Sequence, residues 1–140
     1  MPFVNKRRFA TRLRAIPVEI RKNLRAQLKA NAEELVAAQK QYAPVDDLAG
    51  GELRASIRQK DNSTAARMSR VVRAGGITTS REVRKGVKPT YDYALAQEFG
   101  TENMAANPFF FPPYRAKRKA FKARLAKAAK AGARAAVARS

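Results

Sequence analysis

Between Pro17 and Pro44 the apolar side chains return every three or four residues: Ile20, Leu24, Leu28, Ala32, Leu35, then Ala38 or Gln39, then Tyr42. That period is one face of an amphipathic α-helix, and it constrains the fold of this chain more than any other feature. The spacing predicts a helix over about 18–42. Pro17 suits its first turn, where a missing N–H costs nothing. Glu19 has the sign that the positive end of the helix dipole favours. Pro44 stops it. Before it, residues 3–15 are polar and basic, with Phe3, Phe9 and Leu13 interspersed, and read as an arm or a short helix.

Beyond Pro44 the pattern changes. Val45 to Gly51 reads as a loop from its Asp and Gly content. Leu53 to Arg58 reads as a helical turn leading into a strand. Ala66 to Ala74 alternates, with Ala66, Met68, Val72 and Ala74 on one side, and Gly75-Gly76 ends it. After a turn at 77–80, Glu82 to Lys88 suggests another strand, closed by Pro89. Short strands with tight connections favour an antiparallel meander. Asp92 is placed to cap a helix over Tyr93–Phe99, with Gly100 as its stop. A proline after Phe111 opens a last helix, about 113–138, with Phe121, Leu125, Ala128, Gly132 and Ala136 on one narrow stripe. From Ala126 onward that helix is Ala, Lys and Arg with little apolar bulk, so it is expected to fray unless a partner holds it.

The fold class expected is α+β: a small antiparallel sheet of about three to four strands, packed against a long N-terminal helix and a long basic C-terminal helix. A chain of 140 residues is enough for one domain. The organisation reads as a basic arm over 1–16, a single domain over 17–125 and a basic helical tail over 126–140.

Charge divides the chain in the same way. Thirty Lys and Arg stand against 11 Asp and Glu, a net of +19. Residues 1–30 carry +8, residues 31–102 carry +1, and residues 103–140 carry +10 with no acid at all. Many nucleic-acid-binding domains put their cations on the folded face; here they crowd toward the termini. There is no histidine, no cysteine and no tryptophan. Thiol nucleophiles, His-dependent triads, zinc fingers and disulfides are therefore excluded. No apolar run approaches the ~20 residues that span a bilayer. The basic start has no apolar stretch behind it, so no secretory signal is expected and synthesis in the cytoplasm is.

Few residues could carry chemistry. Asp46 and Asp47, or either with Glu52, could hold a divalent metal or do acid–base work, but adjacent carboxylates point apart and no histidine supports them. The plainer reading is a solvated turn. Ser56 and Lys60 lie four apart with no oxyanion device in view, and Gly75-Gly76 lacks the Lys-Ser/Thr continuation of a phosphate loop. No cofactor, no metal and no enzymatic activity are expected. Two constellations stand out instead. Phe109, Phe110 and Phe111, bracketed by prolines, either fill the core under the sheet or leave rings for a neighbour to bury; three consecutive rings cannot all face one small core. The basic helix, with Lys117, Lys122, Arg124, Lys127, Lys130 and Arg134, needs counter-charge from phosphates or an acidic surface. It has no aromatic residue after Phe121 for base stacking, so any DNA contact would be with the backbone alone.

Two motifs resemble a known family. Ala43-Pro44-Val45-Asp46, a Gly, then Leu53-Arg54-Ala55-Ser56-Ile57 resembles its first motif. Tyr93-Ala94, then Glu98-Phe99-Gly100-Thr101, Met104, and Pro108-Phe109-Phe110 with Pro112 resembles its second. The family is that of the small head–tail joining proteins of long-tailed bacteriophages, also called tail-completion or neck proteins, and the resemblance covers roughly residues 16–125. Asp47 to Gly51 stand where the family has Thr-Gly, and Phe111 and Pro113 replace an Arg and an Ala. The resemblance implies a non-enzymatic virion protein in the neck, between head and tail. It would form a homo-oligomeric ring, hexameric like the tail tube or dodecameric like the portal, against connector, stopper and tail-tube proteins. Subunit contacts are then expected at Asp46, Asp47, Glu52 and Phe109 to Phe111. The cationic ends would face DNA in the channel or the adjoining rings. The alternatives weighed are a small histone-like, sequence-blind nucleic-acid binder, suggested by the +19 total, and a nuclease using Asp46 and Asp47.

Overall fold

Helix α1, Lys6–Tyr42, is the spine of the computed structural model, which describes residues 6–45 and 51–139. It begins well before Pro17. Residues 6–16 contain neither Gly nor Pro, and Lys, Arg, Ala and Leu dominate, all good helix formers. An interior proline removes one backbone donor and crowds the carbonyl four residues back, at ~3 kcal/mol. Ordered helix on both sides of Pro17 absorbs that cost, so the proline sits inside the helix instead of opening it.

Among the described residues, seven shorter elements and a second long helix follow. Helix α2 is Glu52–Ser56. Strands β1, Arg58–Asp61, and β2, Arg70–Arg73, pair antiparallel with Arg58 opposite Arg73 and Asp61 opposite Arg70. A 3-10 turn covers Ile77–Thr79. Strands β3, Ser80–Arg84, and β4, Val87–Asp92, pair antiparallel with Ser80 opposite Asp92 and an irregularity between Glu82 and Arg84. Helix α3 is Tyr93–Phe99, and the chain ends in α4, Phe111–Ala138.

The expected α+β class holds, with four strands among the described residues. They form two separate two-stranded sheets in place of one meander. The break is at Gly75-Gly76, which adopt φ of 88° and 135°, conformations open to glycine and few others. The Asp92 carboxylate fastens that corner: it accepts from the Gly76 N–H at 3.2 Å and the Thr79 hydroxyl at 2.7 Å. A Cβ on Gly75 would lie 2.3 Å from the same carboxylate. The chain leaving β2 is therefore turned aside before it can lie next to β3. Two strand boundaries move as well. Residues 62–69 form the first hairpin's loop, tied by Asn62 N–H to the Ser69 carbonyl at 3.0 Å. The stretch read as one strand over 82–88 is the end of β3, a turn at Lys85-Gly86 and the start of β4; the Gly86 N–H donates to Glu82 at 2.9 Å, and Pro89 lies inside β4 instead of closing a strand.

The core is small and gathered where α2, α3 and the entry to α4 meet: Ala43, Leu53, Ile57, Ala94 and Phe109, with Val36, Val72, Ala74, Tyr93 and Phe110 packed against it. Around it, α1 and α4 lie antiparallel. Their matched pairs run in opposite order: the Gln39 side chain donates to the Phe110 carbonyl at 2.9 Å, Asn31 to Phe121 at 3.4 Å, and Gly132 lies against Ile20. Buried Phe121, Gly132 and Ala136 confirm the stripe expected on α4. The segment past Ala126, expected to fray without a partner, finds one inside the chain: the first half of α1. Glu34 accepts from Lys117 at 2.8 Å and pairs with Arg124, and Glu19 accepts from Arg139 at 2.7 Å.

The crossing at Gly132 leaves no room for a methyl group, since a Cβ there would sit 2.7 Å from the Ile20 Cα. Gly132→Ala should therefore destabilise the protein by ~1–3 kcal/mol in urea unfolding, reversing the ~1 kcal/mol gain that alanine normally brings to a helix. Glu34 supplies a pH signature. Its hydrogen bond from Lys117, reinforced by Arg124, holds its carboxyl below the ordinary 4.5. A depressed carboxylate stabilises the fold above that value and stops doing so as pH falls through the folded-state value. Between about pH 4.5 and lower, wild type should lose more stability than Glu34→Gln, a small difference because the pair is partly solvated.

Candidate assembly surface

A helix that starts with prolines has fewer backbone donors to satisfy, because Pro112 and Pro113 carry no N–H. The donors left at the start of α4 are those of Phe109, Phe110 and Phe111, and Phe110 offers no side-chain cap. All three reach one carboxylate. Glu98 Oε2 accepts from Phe109 N–H at 2.8 Å and Phe110 N–H at 2.9 Å, and Oε1 accepts from Phe111 N–H at 3.1 Å. Glu98 is buried, so these charge-assisted bonds replace its hydration and place its charge at the positive end of the α4 dipole.

Glu98 is itself held in place by the helix that carries it. Asp92 caps α3, accepting from the Ala94 N–H at 2.9 Å, as its position before Tyr93 suggests. Gly100 closes α3 at φ 77°, with its N–H on the Ala96 carbonyl at 2.8 Å. A Cβ at Gly100 would meet the Ala106 backbone nitrogen at 2.9 Å, so the Gly in Glu98-Phe99-Gly100-Thr101 is a packing requirement. Thr101 and Met104 then pair through their backbones, and Asn107 N–H reaches the Gln97 carbonyl at 2.7 Å, returning the chain to Pro108 beside α3.

This turn settles where the three rings go. Phe109 is 1% exposed, at the centre of the core; Phe110 is half-buried; Phe111 is 38% exposed. The core reading thus holds for one ring, and the outward reading for another. Phe111 sits 6.2 Å from the ring of Phe99, itself 66% exposed, and Leu95 lies beside them. Leu95, Phe99 and Phe111, floored by Ala74, Ala94 and Phe110, make an open apolar ledge. Leu95 was missed in the sequence reading, although it stands one helical turn before Phe99; the exposed side of so short a helix has no periodic signal of its own.

The other motif residues are structural. Leu53 is buried in the core and Pro44 ends α1's run. The Ser56 hydroxyl donates to the Leu53 carbonyl at 2.6 Å and accepts from the Gly75 N–H at 2.9 Å, so it is a brace and no nucleophile. The Tyr93 hydroxyl accepts from Gln97. Glu52 is paired with Arg81. Asp46 and Asp47 lie outside the described residues. Among the described residues no three His, Cys, Asp or Glu come together to hold a metal ion. The six basic residues divide. Lys117 and Arg124 turn inward to Glu34, while Lys122, Lys127, Lys130 and Arg134 are exposed and make no ion pair among the described residues.

Compared with known proteins, residues 7–100 match the family model described as "Bacteriophage HK97-gp10, putative tail-component". That span includes α1, both hairpins and α3 up to Gly100. No curated protein and no solved structure matches the chain.

Removing the carboxylate should expose its importance. Glu98→Ala leaves three backbone donors without their acceptor and is expected to cost about 3 kcal/mol or more in denaturant unfolding. Glu98→Gln keeps one acceptor oxygen but sets an NH2 group against the remaining donor, and should cost roughly half as much.

Proposed function

Because the chain belongs to the HK97-gp10-like family of phage tail components, we propose that this structural phage tail protein acts in the neck, as a ring that joins the DNA-filled head to the tail. The observation that carries this reading is the ledge of Leu95, Phe99 and Phe111. A small monomer gains nothing by leaving aromatic rings open to water, and the buried Glu98 carboxylate fixes the backbone that carries Phe111 there. Large aromatic side chains on a rigid support are what protein interfaces use as anchors.

In a ring each subunit presents one surface to the neighbour ahead and another to the neighbour behind, and rotation closes the circle. The ledge would be one of those surfaces, and Asp46, Asp47 and Glu52 would contribute to contacts as well. Six copies would match a hexameric tail tube, and twelve would match a portal. Connector, stopper and tail-tube proteins would lie above and below. The protein would need no catalytic group for this work. The nuclease reading has no support at Glu52, which is engaged by Arg81. The histone-like reading loses part of its charge to internal pairs at Glu19 and Glu34.

Sedimentation of the purified protein tests the ring and its copy number together. Phe99→Asp should weaken assembly at least tenfold, as expected when an interface anchor is lost, while leaving the fold intact because its ring is 66% exposed, and the milder Phe111→Ala should weaken assembly in the same direction. A phage lacking the protein should accumulate filled heads and separate tails. Intact infectious particles without it would overturn the neck assignment.

A further inference from the structure

Helix α4 buries one side against α1 through Phe121, Gly132 and Ala136, and the 100° step of a helix places Lys119, Lys127, Lys130 and Arg134 on the opposite side. All four are exposed and make no ion pair among the described residues. Between them the face holds only Ala116, Ala123 and Ala126, with Val137 at its far end, and α4 contains no acid anywhere along its length. Lys127, Lys130 and Arg134 follow one another at three- and four-residue steps, the spacing at which like charges repel. From Lys119 to Arg134 the row spans about 22 Å at 1.5 Å per residue.

We propose that this row is a docking face for the phosphate backbone of duplex DNA, sequence-blind and separate from the aromatic ledge. The composition of the face decides between nucleic acid and protein. Protein interfaces are depleted in lysine at their cores and anchored by aromatic, Met or Arg side chains in pockets. This face is lysine on alanine, with no pocket and no large anchor. Phosphate binding asks for little more than that: mobile point charges that release the counterions condensed on the duplex. The face carries no aromatic side chain for base stacking and no Asn, Gln or acid to pair with a base edge, and its three lysines and one arginine meet the phosphates as point charges.

The cations of α1 make the contrast. Arg21 donates to the Ala65 carbonyl, Lys29 pairs with Glu33, and Arg70 beside them pairs with Asp61. Acids interleave with that surface and weaken its attraction for a polyanion. The outward row of α4 has none.

The proposal does not depend on ring formation and is read on the purified 140-residue chain, by fluorescence anisotropy with a labelled duplex over a range of salt. Wild type should bind AT-rich and GC-rich duplexes within about twofold of each other, with a salt slope that includes roughly 3–4 for these four cations. The variant carrying Lys119→Gln, Lys127→Gln, Lys130→Gln and Arg134→Gln should lose at least tenfold in affinity at about 50 mM salt and about 3 in slope. The milder pair Lys127→Gln with Lys130→Gln should lose about 2 in slope, which keeps the test open if the fourfold variant folds poorly. Lys22→Gln, Arg25→Gln and Lys29→Gln together should change affinity by about twofold at most. An unchanged slope in the α4 variants, an equal loss in the α1 variant, or poly-glutamate binding as tightly as DNA would overturn the assignment; the last would make the face a dock for an acidic protein.

Discussion

The backbone at the start of α4 has three donors and no local acceptor, and the carboxylate of Glu98 takes all three. Much of the molecule is arranged by that one group. It joins α3 to α4 across the intervening loop, and so fixes where the long helix begins. It also fixes the path of three consecutive phenylalanines, so that Phe109 enters the core while Phe111 leaves it. A neutral acceptor could bond one or two of these donors. Only a carboxylate has lone pairs enough for all three together with the charge that favours a helix N-terminus.

Above that joint, α1 and α4 are held by shape more than by apolar mass. Their contact toward the end of α4 is glycine and alanine, and its tightness comes from backbone meeting backbone at Gly132 and Ile20. Such a contact is short-range and unforgiving, because dispersion falls off within a fraction of an ångström and any added atom must push a whole helix aside. Ion pairs from Glu34 and Glu19 align the two helices without contributing much energy of their own in solvent. Glu19 and Glu34 of α1 engage the inner edges of α4, and among the described residues its outer row has no ion pair to offset it.

Local punctuation was readable in the sequence wherever one residue decided the outcome. Asp92 before Tyr93, Gly100 after Phe99, Pro44 after Tyr42 and the prolines at 112 and 113 all mark the ends they seemed to mark. What escaped depends on groups far apart in the chain. Pro17 looks like a helix start because a proline fits there, but the helix forms through it when the residues before it are helix formers. The split into two hairpins needs Asp92 to reach back to Gly76 and Thr79, a contact that no window of neighbouring residues contains. Glu98 was legible as part of a motif and not as a cap, since the helix it caps begins more than ten residues later. The outward-facing part of the candidate site was half visible: the phenylalanine run drew attention to Phe111, while Phe99 and Leu95 needed the fold to bring them alongside.

Helix α1 is 37 residues long, and at 1.5 Å per residue its backbone measures about 55 Å from Lys6 to Tyr42. An α-helix resists shortening, so the basic beginning of the chain stands at a set distance from the core where Ala43 and Leu53 pack. Pro17 is where the rod lacks a hydrogen bond, and a bending load would find it there first. The helix is in this sense a gauge: whatever grips its two ends is kept at a spacing written in the number of residues between them.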